Sequence, residues 1–242
     1  MPTGLGDELL WLCPSLDDSP NDLSGNGNNG TYVNGTSTVV DSDPTYGGSR
    51  AYNFDGTNDY IRVPKANFAF LVETNSWSQS AWVRSESSVG QRAFIGSQLR
   101  TTGKGTGLLQ GSTGNFLGVR ATATPSIYGP NTASSTSVPL SQWFHVAWVV
   151  DGTTSTLYVD GVQIFQETGT FTTVTGPLSD DVTIGCYFDA ASPFAHLDGF
   201  IDDVRIFDRA ITQAEVTLLA STRGILGGLG GTHIHRTLLG VG

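Results

Sequence analysis

The 242 residues predict an all-β protein, a sandwich of two antiparallel sheets. Three observations predict it. Apolar residues recur at every second position or in short β-branched and aromatic runs, bounded by Gly, Asn, Asp or Pro, which is the period of a strand. The acidic residues divide into 17 Asp and 5 Glu, and Asp favours turns and caps where Glu favours helices. The 31 Gly fall between many short runs, the spacing of a sandwich or barrel.

Strands are expected, in order, over 8–13, 30–33, 49–54, 59–63, 76–84, 92–97, 107–110, 116–121, 144–151, 155–159, 162–167, 181–187 and 197–208. Asn29-Gly30 and Asn34-Gly35 read as turns around the second of these. In the run 76–84, Gln79 falls on the face of Trp77, Ala81 and Val83, a polar residue that is either buried and paired or marks an interface. The clearest unit is 143–164, where Asp160-Gly161 can take the positive φ angles of a tight hairpin turn between apolar strands. Phe144, Val146, Trp148 and Val150 share one face there, with His145, Ala147 and Val149 on the other, so both faces carry apolar weight. Only Thr212 to Leu219 reads as a helix, with Thr212 as N-cap and Glu215 at the capping-box position. The last segment, 221–242, holds seven Gly with scattered Leu and suits neither strand nor helix. One domain over 1–220 and an arm over 221–242 are expected.

Composition excludes several functions. A net charge of -10 with only two Lys lacks the dense basic face that non-specific nucleic-acid binding needs. No apolar run is long enough for a membrane span. The opening Met1-Pro2-Thr3-Gly4-Leu5-Gly6-Asp7-Glu8 has neither the basic start nor the apolar stretch of a secretory signal. Cys13 and Cys186 lie outside any metal or redox spacing and read as buried free thiols, although one long-range disulfide stays open.

Five segments occur in order: Leu23 to Thr31, Tyr52-Asn53-Phe54-Asp55-Gly56-Thr57-Asn58-Asp59-Tyr60-Ile61, Ser80-Ala81-Trp82-Val83, the hairpin from Trp143 to Gly161, and Asp198-Gly199-Phe200-Ile201-Asp202-Asp203-Val204-Arg205-Ile206-Phe207. Together, over about residues 8 to 220, they resemble a laminin-G-like jelly-roll domain of the concanavalin A-like lectin/glucanase superfamily. The resemblance implies two curved sheets face to face, with the first strand pairing near the last. In such relatives a structural calcium commonly joins the first strand region to the last strand and a nearby loop. By that resemblance Asp202 would supply carboxylate and carbonyl, Gly56 a loop carbonyl, and the segment at Asp17 or Asp18 a third ligand, with Asp203 adjacent. Asp beside Gly suits calcium's preference for hard oxygen, while Asx-turns explain the same residues without a metal.

Catalysis finds little support. Glycanase relatives resemble one another in a Glu-x-Asp-x-x-Glu strand, and here all five Glu are isolated, without the carboxylate pair that glycoside hydrolysis requires. There is no Gly-x-Ser-x-Gly elbow. His145 reads as a packed strand residue, and His233 with His235, whose spacing could ligate a transition metal, as a polar stretch in an oligomer contact. A glycan site would need aromatic platforms outside the core. The five Trp fall in strands and are assigned to packing, which leaves Tyr46, Tyr128, Tyr187 and Phe194 as candidate ligand-binding residues.

The expectation is therefore a non-catalytic binding or structural protein. Lack of an export signal and an apolar, Gly-rich arm suited to docking on a neighbour point to a phage virion component, a capsid decoration or fibre-like protein. It would sit on the virion surface, assemble as a homo-oligomer through the arm or on a capsid protein, and hold affinity for cell-surface glycan. The alternative is an extracellular, calcium-stabilised bacterial carbohydrate-binding module. The ligand itself is not specified by any motif.

Overall fold

Alternating apolar runs can bury one face only by stacking sheets, and the chain does so twice over. The structure is a computed structural model that describes residues 5–41, 49–100, 103–122, 132–189 and 192–223. Its strands are β1 (Leu10–Leu12), β2 (Thr31–Val33), β3 (Ser37–Val40), β4 (Arg50–Asp55), β5 (Tyr60–Val63), β6 (Ser76–Ser85), β7 (Arg92–Gly96), β8 (Gln98–Arg100), β9 (Lys104–Gln110), β10 (Asn115–Thr122), β11 (Thr132–Ser137), β12 (Trp143–Asp151), β13 (Thr154–Val159), β14 (Val162–Thr168), β15 (Val182–Ile184), β16 (Tyr187–Asp189), β17 (Ser192–Phe194) and β18 (Asp198–Phe207). Two helices join them, α1 (Phe70–Glu73) and α2 (Gln213–Ser221).

One sheet runs β14-β13-β12-β6-β18-β4-β3, with β1 on β18; the second runs β11-β10-β9-β7-β15-β5-β2. Every pairing in both is antiparallel. Leu10 lies opposite Ile206 and Leu12 opposite Val204, the union of first and last strands that the resemblance implies. A small third sheet, β17-β16-β8, stands at one margin.

Asp160 and Gly161 take φ of 49° and 79°, so β13 and β14 meet through the tight turn that the dipeptide favours. Phe144, Val146, Trp148 and Val150 enter the main core. Ala147 and Val149 on the opposite face are also buried, packed with Phe207 and with Val216 and Leu219 of α2. The helix thus covers the outer face of β12, which explains the apolar residues on both sides of that strand. Its N-terminus has the expected box: Thr212 Oγ1 accepts from Glu215 N–H, and Glu215 accepts from Thr212 N–H at 2.7 Å. Between the sheets Trp148 meets Trp77 edge-on, ring centres 4.6 Å apart, a geometry that adds about 0.5–1.5 kcal/mol to area burial. A Cβ on Gly118 would stand 2.6 Å from the Trp148 indole, so only glycine lets β10 approach so closely.

Gln79 is buried and donates to Thr106 Oγ1 at 3.0 Å, resolving its role as an internal cross-sheet bond. Both cysteines are buried and free. Where sequence and structure differ, side-chain pattern is the reason. β3, β8, β11 and β17 were not expected; β11 reads Thr-Ala-Ser-Ser-Thr-Ser and has no apolar alternation. The expected strand 181–187 breaks at Gly185, whose φ is 89°, into β15 and β16. The domain also runs past residue 220, since α2 ends at Ser221 and Arg223 is buried. The rest of the arm lies outside the described residues.

Candidate functional site

At the margin where the third sheet joins the second, a cleft of about 590 Å³ is lined by Gly56, Thr57, Gly90, Gln91, Arg92, Ser112 and the segment Pro193 to His196. Four connections converge on it. The β4–β5 turn supplies Gly56, with φ of 74°, and its N–H donates to Leu197 O at 2.8 Å. The loop before β7 supplies Gly90 and Gln91. It is held from below by buried Gln110, whose Nε2 donates to Ser87 O at 3.1 Å and to Gly90 O at 3.4 Å. The β9–β10 turn supplies Ser112. The β17–β18 turn supplies Ala195, which takes a positive φ of 55° and accepts a 2.8 Å bond from Ala93 N–H.

Phe194 is the cleft's exposed aromatic, 43% accessible. Tyr187 stands behind it, ring centres 5.5 Å apart, and donates its hydroxyl to Gln91 Oε1 at 2.8 Å. That places an apolar ring against amide, guanidinium, hydroxyl and imidazole groups, the mixture by which concave sites fix polar ligands. His196 Nδ1 lies 3.4 Å from Asp59 O. Beside the cleft Asp55 is held below the usual carboxylate range by the Thr57 and Asn58 N–H groups. None of the ten lining residues is acidic.

The candidate aromatics divide. Phe194 lines the cleft, whereas Tyr187 is buried, 1% exposed, and supports the cleft instead of facing solvent. Tyr46 and Tyr128 lie outside the described residues. Four of the Trp are buried, Trp11, Trp77, Trp82 and Trp148, as their strands imply. Trp143 lies under the Arg223 guanidinium at 3.5 Å. Gln91, Arg92, Ser112 and His196 carried no sequence signal of a site, because they come from three separate segments, the start of β7, the β9–β10 turn and the β17–β18 turn.

The residues expected to hold calcium do not form one set. Asp198 pairs with Asp55 and Ile201 with Tyr52, and Gly56 N–H donates to Leu197 O, so Gly56 and Asp202 sit about five residues apart along β18, roughly 17 Å at strand rise. Asp202 is wholly buried and its oxygens are already met by one cation and two neutral donors: Arg223 Nε donates to it at 3.1 Å, Ser15 Oγ at 2.5 Å and the Asp203 N–H at 2.8 Å. Burial pushes its carboxyl up to about 6, against the pull of Arg223. Asp203 accepts from Trp11 Nε1 at 2.6 Å and Arg205 Nε at 2.9 Å, and Glu8 closes that pair on Arg205 at 2.5 Å. Asp18 pairs with Arg50 at 2.7 Å, and Asp17 accepts from Asn21 Nδ2 at 3.2 Å. The turn at 13–18 does reach Asp202, through Ser15, yet the charge there is met by a guanidinium, and a divalent cation beside it would be repelled. These residues do not fit calcium. Among the described residues no three of His, Cys, Asp and Glu converge as a metal set.

His145 is buried and held down to about 3 by desolvation, a neutral ring packed edge-on against Trp82. No helix among the described residues is long and apolar enough to cross a membrane.

No curated protein sequence matches the chain. Among solved structures, domain 4 of AbnA, a GH43 extracellular arabinanase from Geobacillus stearothermophilus, in complex with arabinotriose, superposes with TM-score 0.68 at 24% identity, over 88% of this chain and 98% of that one. The botulinum neurotoxin serotype D binding domain gives TM-score 0.64 at 15% identity, over 89% of this chain and 52% of that one. The binding domain of botulinum neurotoxin DC in complex with SialylT gives 0.62 at 14%, over 89% and 51%. The chain thus spans about half the length of the toxin chains, and these likenesses establish the jelly-roll fold. The Laminin_G_3 family, described as the concanavalin A-like lectin/glucanases superfamily, matches residues 55–217, more than half of the chain, and the protein belongs to that superfamily.

Proposed function

We propose that the protein is a carbohydrate-binding module whose ligand site is the cleft at Phe194. The observation that carries this reading is a half-exposed ring backed by a second aromatic and ringed by Gln91, Arg92, Ser112, Thr57 and His196. A sugar presents an apolar face to such a ring and hydroxyls to the groups around it. Support comes also from the neighbour solved with arabinotriose. The module binds without hydrolysing, since its lining holds no carboxylate to act as acid, base or nucleophile. Its place of action is a cell exterior or a virion surface.

The test is a glycan array followed by calorimetry on the strongest hit. Phe194→Ala is expected to weaken that ligand about tenfold or more, equivalent to ~1.4 kcal/mol, with the melting temperature unchanged. A blank array, or a ligand indifferent to Phe194, sinks the reading. The phage virion role is a second proposal, resting on the arm after Arg223 as a docking segment for a second copy or a capsid protein; the two roles are compatible, since a virion protein can carry a glycan site.

A further inference from the structure

We propose that the cleft selects sugars that carry a carboxylate, and that Arg92 is the residue that reads it. This rests on the glycan reading of the cleft. The first ground is the distribution of charge. The chain has 22 acidic and 12 basic side chains, yet the cleft lining contains Arg92 and His196 and no acid. Against a net charge of -10, and with Asp55 beside rather than in the lining, the guanidinium is the charged group that the cleft itself presents, and a cation so placed attracts anions.

The second ground is the state of the guanidinium. Arg50, Arg62, Arg84, Arg205, Arg209 and Arg223 each pair with at least one carboxylate. Arg120 has no carboxylate, but it donates to Thr74 O, Asn75 Oδ1 and Thr172 O at 2.8 to 2.9 Å. Arg92 makes one hydrogen bond, from Nη1 to the Gln91 carbonyl at a long 3.3 Å, and pairs with no carboxylate among the described residues; its Nε is buried, which leaves the two Nη groups as the fork. A planar guanidinium with free donors is built to take a carboxylate in two parallel bonds. A neutral sugar offers hydroxyls that satisfy such donors singly and leave the charge unmatched.

The third ground is position. Arg92 opens β7 and pairs with Gln110, the side chain that also holds the 87–90 loop. The neighbouring Gln91 is tied to Tyr187, and Tyr187 to the Phe194 ring. The backbone of Arg92 and the sugar platform are therefore fixed to one frame, so a pyranose stacked on Phe194 would carry its carboxylate toward a nearby cation.

The experiment uses the full chain on an array of neutral, carboxylated and sulfated glycans, with the leading hits repeated by calorimetry. Carboxylated glycans are expected to bind about tenfold tighter than the same sugars as methyl esters, the scale of one partly exposed charge-assisted pair. Arg92→Gln is expected to remove that preference, and Arg92→Lys, which keeps the charge without the fork, to retain part of it. Equal binding of acid and ester through Phe194 would overturn the selectivity and leave the glycan reading standing. Equal or stronger binding of sulfated glycans would overturn the carboxylate assignment. A blank array overturns both readings. Should Arg92→Gln fail to fold, the acid and ester comparison on the unaltered protein decides alone.

Discussion

Arg223 is the last described residue of the domain, and its removal is expected to cost more stability than any surface change. Its side chain is fully buried, bridges Asp202 and Asp41, and lies over the Trp143 ring. Arg223→Ala leaves Asp202, itself wholly inaccessible, with only Ser15, Cys13 and a backbone N–H. Removing one partner of a buried ion pair costs about 3–5 kcal/mol. For a domain of this size each kcal/mol is worth about 2–4 °C, so the melting temperature should fall by roughly 6 to 20 °C. The pH dependence gives an independent sign. Asp202 titrates at about 6 when folded, above the ordinary 3.8, so the folded state holds this proton longer than the unfolded chain. Its contribution to stability is fully present below pH 3.8 and is lost as pH rises to about 6, an effect on the order of 3 kcal/mol. Arg223 opposes that shift, so without it the loss extends to higher pH. The gap between the two proteins should therefore be wider at about pH 8 than at about pH 5. Thermal melts at both pH values, with calcium and with chelator, make the assay. A variant melting within about 2 °C of the original at every pH, less than 1 kcal/mol, would refute the clasp, and a calcium-dependent rise of the unaltered protein would restore a metal.

Two further outcomes follow from packing and from the arm. Gly118→Ala places a methyl group against the Trp148 indole and should destabilise by about 1–3 kcal/mol, as overpacking does, measured by denaturant unfolding; a neutral result would show that β10 is free to shift. Truncation after Arg223, rather than after residue 220, spares the clasp and should reduce any oligomer to monomers of about domain mass by light scattering, while an unchanged assembly removes the arm from the virion proposal.

The sandwich was legible because its strands must alternate or bury both faces, and Phe144 to Asp151 could do little else. The Asp160-Gly161 turn and the Thr212 cap were equally legible, each being a local rule with one structural outcome. Strands β11 and β17 were not, since their pairing depends on partners distant in sequence and their composition suits loops equally well. Site residues followed the same division. Phe194 could be picked as an aromatic away from the core runs. Tyr187 looked alike in sequence but is turned inward by its strand, and Asp202, which the resemblance offered to calcium, is claimed by Arg223 from 21 residues away. Arg92 and Gln91 stood at a strand start with no pattern around them. Binding residues carried on connections are recognisable only once the scaffold has gathered those connections.

The reading of a binding cleft without hydrolysis also draws on where the glutamates went. Glu8 is buried on Arg205, Glu86 pairs with Arg84 and accepts from Ser141, and Glu215 caps α2 and pairs with Arg209. Glu73 accepts from the Gly176 N–H at 2.6 Å, and Glu167 lies on β14 at the margin of the first sheet. Arg209 holds the Glu215 carboxyl down to about 2, the opposite of what a general acid needs at neutral pH. The carboxyl that is raised, Asp202, is sealed from solvent beneath Arg223 and Ser15, where no sugar can reach it. The glutamates therefore lie away from the accessible aromatic, and what meets at Phe194 are Gln91, Arg92, Ser112 and His196, the groups that the proposed site would offer to a sugar.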